Sequence, residues 1–188
     1  MATKTAAKKA PARRSVSAKK PQWQESVYRM LRDAGISQFS YVPDAGHLHL
    51  IDRSLADPEV HSVALTTEEE GVALSAGAHL GGEKSVVLMQ SSGVGNIINM
   101  LSLSEYCKFP LLILVSMRGD YGEGNPWQYA MGRGAQTVLE AMGVQVLTAD
   151  DPEDAIQTVA AALTMVNQSG MQVAVLLTQR LLVAKSFA

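Results

Sequence analysis

A single cysteine, Cys107, stands among 188 residues. One thiol makes neither an intrachain disulfide nor a cysteine metal cluster, and it suits a reducing, cytoplasmic setting. It lies in a largely apolar helix-to-strand stretch, 104–110, where packing is a better expectation than nucleophilic chemistry. No apolar run reaches the roughly 18 residues that span a bilayer. No Gly-Lys-Ser/Thr ending follows a glycine-rich loop, so a Walker site is excluded. Gly93 and Gly95 lack a third glycine because Ile98 holds that place, which removes the dinucleotide fingerprint. There is no Gly-x-Ser-x-Gly elbow. His47 and His49 are two apart and would face different ways on a helix, so no metal site is expected in this chain. Residues 1–20 contain no acid at all.

What is present describes a soluble globular protein, with 47% hydrophobic and 18% charged residues in a length that suits one domain. The net charge of −2 conceals an asymmetry. Seven of the sixteen basic residues lie in residues 1–20, so nine face eighteen acids in the remainder. Residues 1–21 are expected to be a disordered basic tail, being Lys, Ala, Pro, Ser and Thr with nothing large to bury. Such an arm suits an acidic surface, and its composition also fits a transit peptide. The acidic body argues against nucleic-acid binding as the main function.

From residue 22 the chain alternates helix and strand. Helical spacing or capping signals predict helices over 22–34, 47–55, 68–80, 97–106, 133–142 and 152–168. Short apolar runs predict strands at 39–42, 61–65, 85–89, 111–115, 144–147 and 173–177. The 111–115 run is the most apolar and is expected to be central. Six strands alternating with helices imply an α/β fold, an open six-stranded parallel sheet with helices on both faces. Residues 22–188 then form one domain.

In such a sheet the loops after the strands share one edge, where ligands bind. Those loops are 43–47, 66–70, 90–96 and 116–132. Three carboxylates, Glu68, Glu69 and Glu70, open the helix after the second strand, and the macrodipole alone would favour acids there. The 90–96 segment has small residues whose backbone N–H groups suit an anion or a flat ring. His47 is a candidate proton carrier, against the commoner reading of a surface histidine. The 116–132 stretch is long for a connection and carries two tyrosines, a tryptophan and an arginine, which suits an interface.

In order and spacing these loops resemble the pyrimidine-binding domain of thiamine-diphosphate enzymes, over about residues 22–180. Within that family the likeness is to the alpha subunit type of sulfopyruvate decarboxylases and the N-terminal half of phosphonopyruvate decarboxylases. Several landmarks carry it: Val42-Pro43-Asp44, Glu68-Glu69-Glu70-Gly71-Val72 with Ala76-Gly77-Ala78, and Met89-Gln90 followed by Ser91, Ser92, Gly93, Val94, Gly95 and Asn96. Arg118-Gly119 and Gln128 with Met131-Gly132-Arg133 complete the set.

The resemblance implies a glutamate that shares a proton with N1′ of the cofactor's aminopyrimidine. Matching a Glu-Gln-Gly-Ala pattern to Glu69-Glu70-Gly71-Val72 puts that role on Glu69, with Glu68 and Glu70 pointing elsewhere. It implies that Ser91, Ser92, Gly93, Val94, Gly95 and Asn96 line the cofactor pocket and that the 44–47 loop faces the reacting centre. Ala45 stands where some members carry an acid or hydroxyl, so Asp44 and His47 become the candidate proton-transfer groups. Arg118, Gln128 and Arg133, with Ala45, are candidate substrate contacts.

The family's diphosphate-binding Gly-Asp-Gly is missing; Asp120 has Gly119 before it but Tyr121 after it. The resemblance therefore implies half an active site. A partner (beta) subunit in an α2β2 or larger assembly would hold the diphosphate and Mg²⁺. The implied reaction is decarboxylation of sulfopyruvate or a similar acidic 2-oxo acid. A lyase or carboligase subunit for another 2-oxo acid, or a non-catalytic binding subunit, remain as alternatives.

Overall fold

The computed structural model describes residues 23–182. The expected 1–21 tail lies outside them. The chain order is α1 (Trp23–Asp33), β1 (Ile36–Tyr41), α2 (Leu48–Ala56), β2 (His61–Ala64), α3 (Glu68–Leu80), β3 (Lys84–Gln90), α4 (Ser91–Ile97), α5 (Leu101–Cys107) and β4 (Leu111–Ser116). A 3₁₀ turn (Pro126–Gln128) leads into α6 (Tyr129–Ala141), then β5 (Gln145–Ala149), α7 (Pro152–Ser169), β6 (Gln172–Leu177) and α8 (Gln179–Leu182).

The six strands form one parallel sheet in the order β2-β1-β3-β4-β6-β5, as the alternation predicted. β4 and β6 are buried at every residue and pair with each other, so the most apolar strand is interior. Side chains alternate across the sheet and feed two cores. Phe39, Leu88, Leu112, Leu114 and Val175 pack under α1, α2 and α7. Met89, Ile113, Val115 and Leu176 pack under α3, α4, α5 and α6.

This topology has two crevices at its carboxyl edge. β1 leads to α2 on the first face while β3 leads to α4 on the second. β4 leads to α6 on the second face while β6 leads to α8 on the first. Diverging connections of this kind open the sites where α/β proteins bind ligands.

Several boundaries differ from expectation: β1 begins at Ile36 rather than 39, and the helix expected from 97 begins at Leu101. The 91–96 segment is helical; β3 passes directly into α4, and the glycines that suggested a loop serve helix contacts instead. α6 begins at Tyr129, four residues before the expected start. The cause is a cap: the Asn125 side chain accepts the Trp127 N–H ahead of Pro126, a pairing that starts helical turns. Cys107 is exposed rather than packed. α5 buries Leu101 and Ser104, leaves Cys107 on its exposed side and ends at left-handed Lys108.

Candidate active site

Beside the β1/β3 crevice, on the second face of the sheet, lies α3. Its buried residues are Glu68, Gly71, Val72, Ser75 and Ala78, one helical stripe that starts with an acid. Gly71 permits the close approach, since a Cβ there would meet Val87 Cγ1 at 2.8 Å. Glu68 is only 7% exposed. One carboxyl oxygen, Oε2, accepts the Asn96 side-chain amide at 2.8 Å. The other, Oε1, lies where a Cβ on Gly93 would come within 2.3 Å, so only glycine leaves room for it. Glu69, on which the resemblance placed the cofactor contact, is exposed and turned away. The reason is helical phase: residue 68 shares the stripe of 71, 72, 75 and 78, and residue 69 does not. Glu70 accepts the Thr66 backbone N–H at 2.8 Å and trims the helix start.

The residues of α4 divide in their duties. Ser91 is fully buried, and its hydroxyl donates to the Arg118 carbonyl while accepting the Arg118 N–H, so it fastens α4 to the end of β4. Val94 is core. A Cβ on Gly95 would meet Met131 Sδ at 3.5 Å, an ordinary contact. Ser92, Gly93 and Asn96 are the members that reach the crevice network or Glu68.

At the mouth of the first crevice the 44–47 loop folds over Ser116. Gly46 is obligatory, because a Cβ there would lie 2.6 Å from Ser116 Cβ. Asp44 Oδ2 accepts from the Gly46 N–H at 2.9 Å and from the Ser116 hydroxyl, and Oδ1 accepts from Gln90 Nε2 at 3.0 Å. Burial pushes the Asp44 carboxyl up. The Ser116 hydroxyl, the neighbouring His47, the Gln90 amide and the Gly46 N–H outweigh burial and hold it below the ordinary range. His47 is buried, with Nε2 at 3.1 Å from the Met89 carbonyl. Burial drives its imidazole below the usual value against the pull of Asp44 and that carbonyl, and the ring fastens the start of α2 to the end of β3. Ala45 is exposed at the rim of a cavity of about 80 Å³ that Asp44, Gly46, Ser116, Arg118 and Gln179 also line.

The 116–132 stretch is not a loose lid. Arg118 grips Glu123 with Nε and Nη2, at 2.5 and 2.8 Å. Glu123 also accepts the Asn125 N–H and the Gln179 amide. The Arg118 hydrogen bond leads in holding its carboxyl down to about 2, against burial. Gln179 Oε1 in turn accepts the N–H groups of Asp120 and Tyr121, and Arg180 sits over the Tyr121 ring at 4.7 Å. Burial raises the Asp120 carboxyl, whose oxygens accept the Gln179 N–H. The landmark Arg118-Gly119 and Gly132 is a backbone crossing: a Cβ on Gly119 would strike the Gln128 carbonyl and one on Gly132 the Arg118 carbonyl, each at 2.3 Å. Gln128 is buried with Oε1 unpartnered, and Arg133 is exposed on α6.

The structure thus gathers Asp44, Ser91, Ser92, Gly93 and Asn96 with Glu68, and separates Glu69 from them. Gln90, Ser116, Glu123 and Gln179 are members that the sequence reading passed over. Gln90 and Ser116 carry a readable signal, since each is the polar last residue of an apolar strand.

Residues 22–149 match the family described as "Thiamine pyrophosphate enzyme, N-terminal TPP binding domain". The chain is 34% identical over 154 residues to "Sulfopyruvate decarboxylase subunit alpha" of Methanococcus maripaludis, spanning 81% of this chain and 92% of the relative. To the protein of the same name from Methanothermobacter thermautotrophicus it is 35% identical, over 81% of this chain and 93% of that one. Among solved structures, benzoylformate decarboxylase from Polynucleobacter necessarius superposes with a TM-score of 0.70 at 17% identity, over 89% of this chain and 31% of that chain. At that identity the likeness speaks for the fold alone, and this chain spans under a third of the solved one. With most of its length matched by the family and by full-length relatives, the chain belongs to the thiamine pyrophosphate enzymes, as their N-terminal, cofactor-binding domain.

Proposed function

We propose that this chain is the alpha, pyrimidine-binding subunit of a two-subunit thiamine-diphosphate-dependent decarboxylase acting on sulfopyruvate or a similar acidic 2-oxo acid. The observation that carries the reading is the buried Glu68 carboxyl, held at a strand-to-helix junction against the bare face of Gly93. That cradle suits a flat ring nitrogen sharing a proton with a carboxyl, a contact that needs a dry and shaped site. The role earlier placed on Glu69 is therefore proposed for Glu68. When bound, thiamine diphosphate supplies the electron sink for loss of CO₂ from a 2-oxo acid. The names of the relatives support both the reaction and a partner subunit.

Glu68 would hold the ring-nitrogen proton, Asn96 would orient Glu68, and α4 would keep water from the carboxyl. The diphosphate and Mg²⁺ would be held by the partner beta subunit in an α2β2 or larger assembly. Leu80, Tyr106 and Trp127 stand 88%, 89% and 81% exposed, which supports a surface that another chain covers. An acidic substrate needs cations. Arg118 is engaged by Glu123, which leaves Arg133 and the partner as the sources, with Ala45 and Gln128 at the substrate's edge. No helix among the described residues is long and apolar enough to cross a membrane, and we place the enzyme in the cytoplasm.

The test is co-expression with a partner chain that carries Gly-Asp-Gly, followed by assay of CO₂ release from sulfopyruvate. Glu68→Gln should lower kcat by about 100-fold or more, and Glu69→Gln by less than about threefold. Equal losses in the two variants, or full activity in Glu68→Gln, would defeat the assignment.

A further inference from the structure

Asp44 is the meeting point of three strand ends. It follows β1, and its carboxylate collects the Gln90 amide from the end of β3 and the Ser116 hydroxyl from the end of β4. The chain of bonds continues past Gln90. With Nε2 committed to Asp44, Gln90 turns Oε1 toward α4, where it accepts the Ser92 hydroxyl at 2.9 Å. The direction of every link is set by the acid: an acceptor at Asp44 fixes the Gln90 amide, and the Gln90 carbonyl fixes the Ser92 proton. Ser92 is the residue next to Gly93, and Gly93 is the surface on which Glu68 rests.

We infer that Asp44 is a positioning residue which, through Gln90 and Ser92, fixes the start of α4 and so the wall that Glu68 and its cofactor ring lie against. The inference rests on the reading of Glu68 given above. Three donors converge on this carboxylate, and a group so occupied is an acceptor rather than a proton donor. Its neighbour His47 is buried with Nε2 at 3.1 Å from the Met89 carbonyl. α4 has no side-chain cap of its own, so its entry is held from outside, by this chain of bonds and by Ser91 on the Arg118 backbone.

The experiment compares Asp44→Ala, Asp44→Asn and Gln90→Ala. In the full chain without cofactor, hydrogen exchange is read at the amides of residues 92–97, with 172–177 as the internal reference. In the complex with the partner subunit, half-saturation by thiamine diphosphate and kcat are measured. Asp44→Ala and Gln90→Ala should each raise exchange in 92–97 and raise half-saturation by about tenfold, the worth of one charge-assisted hydrogen bond. Asp44→Asn, whose amide can re-pair with a flipped Gln90, should recover most of both. The proposal is overturned if Asp44→Asn is as inactive as Asp44→Ala at saturating cofactor, which would assign the carboxyl a chemical role. It is equally overturned if Gln90→Ala leaves exchange in 92–97 at the wild-type rate. Should Asp44→Ala not fold, Gln90→Ala decides alone. Failure of the wild-type complex to take up thiamine diphosphate would remove the functional reading, while the exchange data would still judge Asp44.

Discussion

The two crevices of the sheet each centre on a carboxylate, and they differ in what answers it. Glu123, at the β4/β6 crevice, is met by a guanidinium as well as by neutral donors, and its side chain is 1% exposed. Asp44, at the β1/β3 crevice, is met by an amide, a hydroxyl and a backbone N–H, and it borders a cavity. A carboxylate closed by its own cation ties segments together. One held by neutral donors beside open space keeps its surroundings oriented without filling them. The β4/β6 crevice is therefore stapled shut and the β1/β3 crevice is kept ready.

This contrast can be broken by substitution. Arg118→Ala would leave Glu123 buried without its cation and should cost about 3 kcal/mol in urea unfolding, the largest stability effect in the molecule's carboxyl edge. A cost comparable to that of an exposed pair, under about 1 kcal/mol, would erase the distinction. Acid titration sharpens it. Glu123 has its folded pKa depressed to about 2 from 4.5, so its contribution is complete above pH 4.5 and disappears as pH falls toward 2. Glu123→Gln should flatten the fall in unfolding free energy across that window, and an unchanged slope would show that the Arg118 pair contributes nothing there. Ser116→Ala is the mildest test. It removes one of three donors to Asp44 and should cost about 1 kcal/mol, read as a small drop in Tm.

The fold was legible because its signals are local. Apolar runs such as 111–115 and the Asp151-Pro152 start of α7 state strand and helix without reference to the rest of the chain. The start of α6 was equally local, in Asn125-Pro126, and was passed over for the length of the stretch around it. α4 was not legible, since three small or polar residues and two glycines become a helix only by lying against Glu68, Met131 and Arg118. The site was half legible. The loops after the strands marked the edge and the resemblance put the acid on Glu69, whereas the buried stripe of 68, 71, 72 and 75 turns Glu68 inward, a phase that only the packed helix displays. The Asp44–Gln90, Asp44–Ser116 and Glu123–Gln179 links join residues 46, 72 and 56 positions apart, and no sequence window of helical or strand length contains them.

The two oxygens of Glu68 are not equivalent. Asn96 donates to Oε2, while Oε1 has no side-chain donor of that kind beside it among the described residues. Oε1 is the oxygen beside Gly93, where no side chain intervenes. The carboxyl fills the space that a methyl group on residue 93 would take, so the absence of that methyl is what lets the acid lie against α4.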